Sequence, residues 1–117
     1  MALSISIPTT QYDASGNQIS ATYWKIIAIN ANLAEQIFSL QVNGYASSES
    51  YNANPLQSPL MVERVFFPDV VNVPGAPWPF TPAYLAANYP DNPGAVLAAA
   101  EAYCMLYPFF NGATQVP

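Results

Sequence analysis

Residues 3–7, Leu3-Ser4-Ile5-Ser6-Ile7, alternate apolar and polar positions strictly and then meet Pro8. That pattern predicts a strand with one apolar face, which Pro8 confines to a sheet edge or ends. A polar stretch, Thr9–Gln18, follows with Ser15-Gly16-Asn17 as its turn. Two β-rich runs, 21–30 and 37–43, flank the short polar connection Ala31–Gln36 and read as a β-hairpin on which the rest of the chain is laid. In the first run, unbroken alternation puts Tyr23, Lys25, Ile27 and Ile29 on one face and Trp24, Ile26 and Ala28 on the other. Both faces are mostly apolar, which predicts cover on both sides. In the second run Phe38, Leu40 and Val42 point inward, and Asn43-Gly44 closes the strand with a bulge or a positive-φ turn.

Residues 46–59 carry no period and read as a loop, before a further strand at 60–67 closed by Pro68. From 68 to 82 prolines recur too often for a helix interior or a central strand. The segment reads as an extended strap anchored by Trp78 and Phe80. Thr81-Pro82 is an N-cap followed by proline at the first helical position, predicting a short helix over 83–88. The main helix is predicted over 93–107, capped by Asp91 or Asn92 and stopped by Pro108. Its apolar stripe is Val96, Leu97, Ala100, Tyr103, Cys104 and Tyr107. The opposite face, Ala95, Ala98, Ala99, Glu101, Ala102 and Met105, is nearly uncharged, so it too reads as covered.

The fold class expected is α+β: a small antiparallel sheet from 3–7, 21–30, 37–43 and 60–67, with the C-terminal helix packed on it. At 117 residues it is read as one domain, 1–117. Its parts are a β-rich 3–67, a strap and short helix over 68–92, the helix 93–107 and a tail 108–117.

Composition sharpens the question of cover. Only 8% of residues are charged, with two cations and seven acids, while 52% are hydrophobic. Ordinary soluble domains carry about 25% charged residues, so much of this surface reads as meeting other chains. A net charge of −5, with Lys25 and Arg64 the only cations, argues against nucleic acid and against an acidic membrane surface. No run reaches the roughly 18 apolar residues of a membrane span, and the N-terminal segment from Met1 has neither the basic region nor the apolar length of a signal peptide. Cys104 stands alone and reads as a small core residue.

Candidate chemistry is sparse. There is no His, no phosphate-binding glycine loop and no nucleophile elbow. The acids are scattered singly, and Asp13-x-Ser15-Gly16-Asn17 lacks the second acid and the twelfth-position Glu of a calcium loop. The expectation is no enzyme, no catalytic residue, no cofactor and no metal.

At Ser6-Ile-Pro-Thr-Thr10, Ala21-Thr-Tyr-Trp-Lys-Ile26 and Gly44-Tyr45 the chain resembles small virion-associated proteins of tailed bacteriophages, over roughly residues 5–45. The resemblance implies a structural component of the virion, at the tail, baseplate or fibre attachment, and carries no catalytic residue. Combined with the low charge, it gives an expected homo-oligomer, taken as a trimer, that also contacts other virion proteins. The interface candidates are Tyr23, Trp24, Ile26, Trp78, Phe80, Ala98, Ala102 and Met105. Capsid decoration and a glycan-binding module using Trp78, Tyr84 or Tyr89 are the alternatives.

Overall fold

The computed structural model describes residues 2–117; Met1 lies outside them. Strands β1 (Ala2–Tyr12), β2 (Gln18–Asn32) and β3 (Ile37–Tyr45) come first, then helix α1 (Ser48–Ala53) and strand β4 (Met61–Phe67). Helices α2 (Pro82–Asn88) and α3 (Ala95–Cys104), a 3₁₀ turn (Pro108–Phe110) and β5 (Thr114–Val116) complete the chain. The strands form one antiparallel sheet in the order β4-β3-β2-β1-β5. With helices on the same chain, the architecture is α+β.

One face of this sheet holds the core. Leu3, Trp24, Phe38, Leu40, Val42 and Val65 from the strands pack against Ala100, Tyr103, Cys104, Tyr107 and Phe110 from the C-terminal part. The molecule is drawn out to 51 × 32 × 23 Å, and its radius of gyration is 15.1 Å. A compact chain of this length has about 13 Å. The excess comes from the long β2, whose first half pairs with β1 and whose second half pairs with β3.

The register of β2 corrects the two-faced reading of that strand. Ile26 pairs with Val42 but Ala28 pairs with Gln41, so Ile27 is an extra residue, a β-bulge. Alternation restarts after it, and Ile29, opposite Leu40, joins Trp24 and Ile26 on the core face. The other face of β2 is left with Tyr23, Lys25, Ala28 and Asn30.

Four further expectations change. Pro8 lies at a sheet edge, one of the two expected places, but does not end β1; the strand runs on to Tyr12, because β5 pairs only with Ala2–Ser4. Gly44 makes no turn: β3 continues to Tyr45, and a Cβ at Gly44 would stand 2.7–2.9 Å from three carbons of the Trp24 ring. The 46–59 stretch contains α1, whose N-cap Ser47 accepts a hydrogen bond from the Ser50 amide. Within the 108–117 tail, Thr114–Val116 adds a fifth strand against β1.

The helix of 93–107 is shorter than expected, Ala95–Cys104, and its N-cap is Gly94 with no side-chain cap bond. Asn92 instead accepts from the Gly94 amide at 2.8 Å, just ahead of the first turn. Its buried side includes Ala98, Ala99 and Glu101, whereas Val96 is exposed. With so many alanines the burial is set by what packs on the helix rather than by a strong stripe. At α2 the outcome matches the pattern: Thr81 accepts from the Tyr84 amide and Pro82 is the first helical residue.

Candidate functional site

The eight residues expected at an interface are engaged mainly within their own chain. Trp24 is 0% exposed; its ring meets Phe109 and Phe110 edge-on, each at 5.4 Å, and its indole N–H donates to the Ile5 and Ala21 carbonyls. Tyr23 is buried on the opposite face in a small cluster with Ala2 and Tyr45, and α1 sets Tyr51 against it at 5.6 Å. Ile26 and Met105 are half-buried against the main core. Trp78 lies 5.4 Å from Phe67, 5.4 Å from Phe80 and 5.7 Å from Phe38, so its ring is engaged by three aromatic neighbours of the same chain. Phe80 sits 5.0 Å from Phe38. Ala98 is on the buried side of α3, and Ala102 lines a hollow of about 210 Å³ with Tyr84, Tyr103 and Leu106. Presenting Tyr23, Trp24 or Ala98 to a partner would require unpacking the monomer, so for these three the interface expectation is corrected.

What the packing leaves partly uncovered is the other face of the sheet, exposed along β4 and at its far end, with Asn43 buried in its middle. Reading across β2, β3 and β4, the register gives successive rows: Lys25–Asn43–Val62, Ala28–Gln41–Arg64 and Asn30–Ser39–Phe66, with Asn32–Ile37 beyond β4. Helix α1 lies at one end only, over the Tyr23–Tyr45 row. Gln41 donates to Asn43, and Asn43 donates to the Tyr45 hydroxyl, a polar line down the middle strand. Along its rim Phe66 is 50% exposed, Ile37 45% and Val62 43%. At the far end Asn30, Asn32, Ile37, Ser39, Phe66 and Pro68 surround an open hollow of about 560 Å³. Sequence reasoning missed this face because it placed apolar residues on both sides of β2.

Charge is divided along the same line. Lys25 and Arg64, the chain's two cations, both lie on the open face, in adjacent rows. Arg64 is exposed, and the Lys25 ammonium leans over the Tyr51 ring at 5.3 Å. Neither cation meets a carboxylate of its own chain; no ion pair within 4.0 Å joins the described residues. Glu63 pairs with Val42, which puts it on the covered face, where burial raises its pKa.

Two more carboxyls on the covered side are shifted. Asp69 receives hydrogen bonds from the Asn72 side chain and amide, from the Tyr107 hydroxyl and from the Val71 amide, which together hold it at about 2. The Tyr107 hydroxyl has one proton and three neighbours: the Phe66 amide, the Phe66 carbonyl and Asp69. Since Tyr103 already donates to the Phe66 carbonyl at 2.7 Å, the Tyr107 proton goes to Asp69 and its lone pair to the Phe66 amide. Glu101 is fully buried; Oε1 accepts from Gln115, Oε2 has no partner, and burial raises its pKa. Burial likewise pushes the Cys104 thiol up to about 12, which suits a packed core residue rather than a nucleophile.

Among the described residues no three His, Cys, Asp or Glu side chains gather to hold a metal ion, and no helix is long and apolar enough to cross a membrane. The open sheet face is amide-rich and carries both cations. No protein-family model, no curated protein and no solved structure matches this chain.

Proposed function

We propose that this chain is a non-enzymatic structural component of a tailed-bacteriophage particle. It assembles with copies of itself, as a trimer, and joins larger virion proteins at the tail, baseplate or fibre attachment. The observation that carries the reading is the bare sheet face, with Phe66, Ile37 and Val62 left in water on a chain that is only 8% charged. Exposed apolar residues gathered on one flat face mark a surface that meets another protein. The phage assignment rests on the resemblance at Ser6–Thr10, Ala21–Ile26 and Gly44-Tyr45. Within this reading the β2–β3 pair is the ribbon on which the chain is organised. The proline-rich 68–81 segment is the strap that ties β4 to α3 through Trp78 and Phe80.

Two measurements test it. Sedimentation of the purified chain at micromolar concentration should give a stable oligomer; a monomer throughout would sink the assembly part. Antibody labelling of purified particles should mark the tail end. Absence from particles would sink the virion part, and labelling over the head would replace the tail location with capsid decoration.

A further inference from the structure

The two long faces of the molecule differ in charge as well as in cover. The open face carries Lys25 and Arg64, with Glu49 of α1 at its margin. The opposite side, built by β4's inward face, the 68–81 segment, α2 and α3, carries Glu63 and Asp69, with Asp91 in the connection from α2 to α3, and no cation; Glu101 of α3 is fully buried and presents no charge at the surface. Apolar residues are exposed on both sides: Phe66, Ile37 and Val62 on the open face, and Val96 and Leu106 on and just beyond α3.

We infer that the open sheet face docks on the acidic helix-bearing side of a second copy of this chain, head to tail. This rests on the self-assembly reading above and specifies its surfaces. Charge decides between the two ways a copy can bind. A two-fold contact of open face on open face would bring four cations into one interface, with only the two Glu49 carboxylates at its margin to offset them. A head-to-tail contact sets the two cations against a side that has three carboxyls and no cation, and opposes apolar residues to apolar residues. Such a contact is heterologous, and a trimer closed by rotation is built from three of them. The occupant is another copy because the chain itself supplies the complementary surface.

The test uses the single lysine. Equal amounts of unlabelled and ¹⁵N-labelled full-length chain are mixed, unfolded and refolded together so that the copies exchange, treated with a zero-length carbodiimide, digested and read by mass spectrometry. Isotope-mixed links from Lys25 to Glu63, Asp69 or Asp91 are expected. Within one chain Lys25 and those acids lie on opposite sides of the molecule, so such links report contact between copies. In parallel, Arg64→Glu should weaken association at least about tenfold by sedimentation velocity, since it turns an attraction into a repulsion. Arg64→Lys should stay near wild type, and raising salt from 50 to 500 mM should weaken wild-type association, with screening shrinking to a few ångströms. Far-UV circular dichroism of Arg64→Glu should remain unchanged, which separates lost docking from lost folding. An oligomer insensitive to Arg64→Glu, or one linking Lys25 only to Glu49, overturns the docking surface while leaving self-assembly intact. A wild-type chain that is monomeric at 100 µM overturns both.

Discussion

Gly44 is the position where the packing leaves least room. It lies opposite Trp24 in the β2–β3 ladder, and the indole covers its Cα so closely that an added Cβ would lie 2.7, 2.8 and 2.9 Å from ring carbons Cη2, Cζ3 and Cζ2. Trp24 cannot swing away, because Phe109 and Phe110 meet its ring edge-on and its N–H is held by two carbonyls. Overpacking of this kind costs about 1–3 kcal/mol, while removing a glycine from the unfolded chain returns about 0.4–1 kcal/mol. Gly44→Ala should therefore lose a net ~1–2 kcal/mol. At about 2.1 cal/mol/K of unfolding entropy per residue, that corresponds to a Tm lower by roughly 4–8 °C. Thermal unfolding followed by circular dichroism measures it. A companion measurement makes the cause specific. Trp24→Phe removes the three crowding carbons, so adding Gly44→Ala to that background should cost at least about 1 kcal/mol less than it does in the wild type. A Gly44→Ala variant within about 1 °C of wild type, or one equally destabilised with and without the indole, would refute the steric account.

Other changes probe the buried polar groups. Burial raises the pKa of Glu101 above its unfolded value, so its stabilising contribution is complete below the unfolded pKa and is lost as pH rises through the folded one. Glu101→Gln cannot ionise and should flatten that slope, so that its advantage over wild type grows as pH rises above the unfolded carboxylate range; urea titrations across pH compare the two. Asp69 has the opposite sign: its pKa is held at about 2, so its contribution is present above the unfolded value and is lost as pH falls toward 2. Tyr107→Phe removes one of its donors and should raise the Asp69 pKa in a carboxyl NMR titration, with a loss of about 0.5–1.5 kcal/mol from the lost hydrogen bond to the Phe66 amide. Trp78→Ala should cost ~2–4 kcal/mol and open the 68–81 segment to proteolysis; unchanged protection would show that the ring contributes little to the fold.

The pattern of residues foretold the structure where one local rule acted alone. Thr81-Pro82 began α2 because a hydroxyl cap and a fixed φ need no tertiary help. The alternation of Phe38, Leu40 and Val42 gave the inner face of β3 correctly. It failed where two arrangements had equal local merit. Ile26-Ile27-Ala28-Ile29 is apolar at every step, so nothing in it marks Ile27 as the extra residue, and one slip exchanges the faces of everything beyond it. Ile29 was therefore set on the wrong face, whereas Tyr23 and Trp24, which precede the slip, are buried by α1 and by Phe109 and Phe110. Ala95–Ala102 offers almost no contrast around the helix, and its buried side was set by Tyr103, Cys104 and the sheet. Thr114-Gln115-Val116 is too short to show a period; it became a strand because β1 offered an unpaired edge at Ala2–Ser4. Ser47 ahead of Ser48-Glu49-Ser50 was a readable cap signal for α1, hidden in a stretch that otherwise resembles loop.

The hydroxyls of Tyr103 and Tyr107 at the rim of β4 also bear on how such a molecule can multiply. A foreign strand laid along that rim would find the Phe66 amide already donating and the Phe66 carbonyl already accepting. The opposite rim ends in the three residues of β5 and then in a β1 edge interrupted by Pro8. Runaway growth by sheet extension, the route to fibrils, meets a plugged socket on one side and a short, proline-broken one on the other. A protein so poor in charge has little electrostatic repulsion to keep its copies from sticking indiscriminately. Two phenol groups at one edge residue supply part of that protection by geometry, and leave broad faces rather than strand edges as the way for copies to meet.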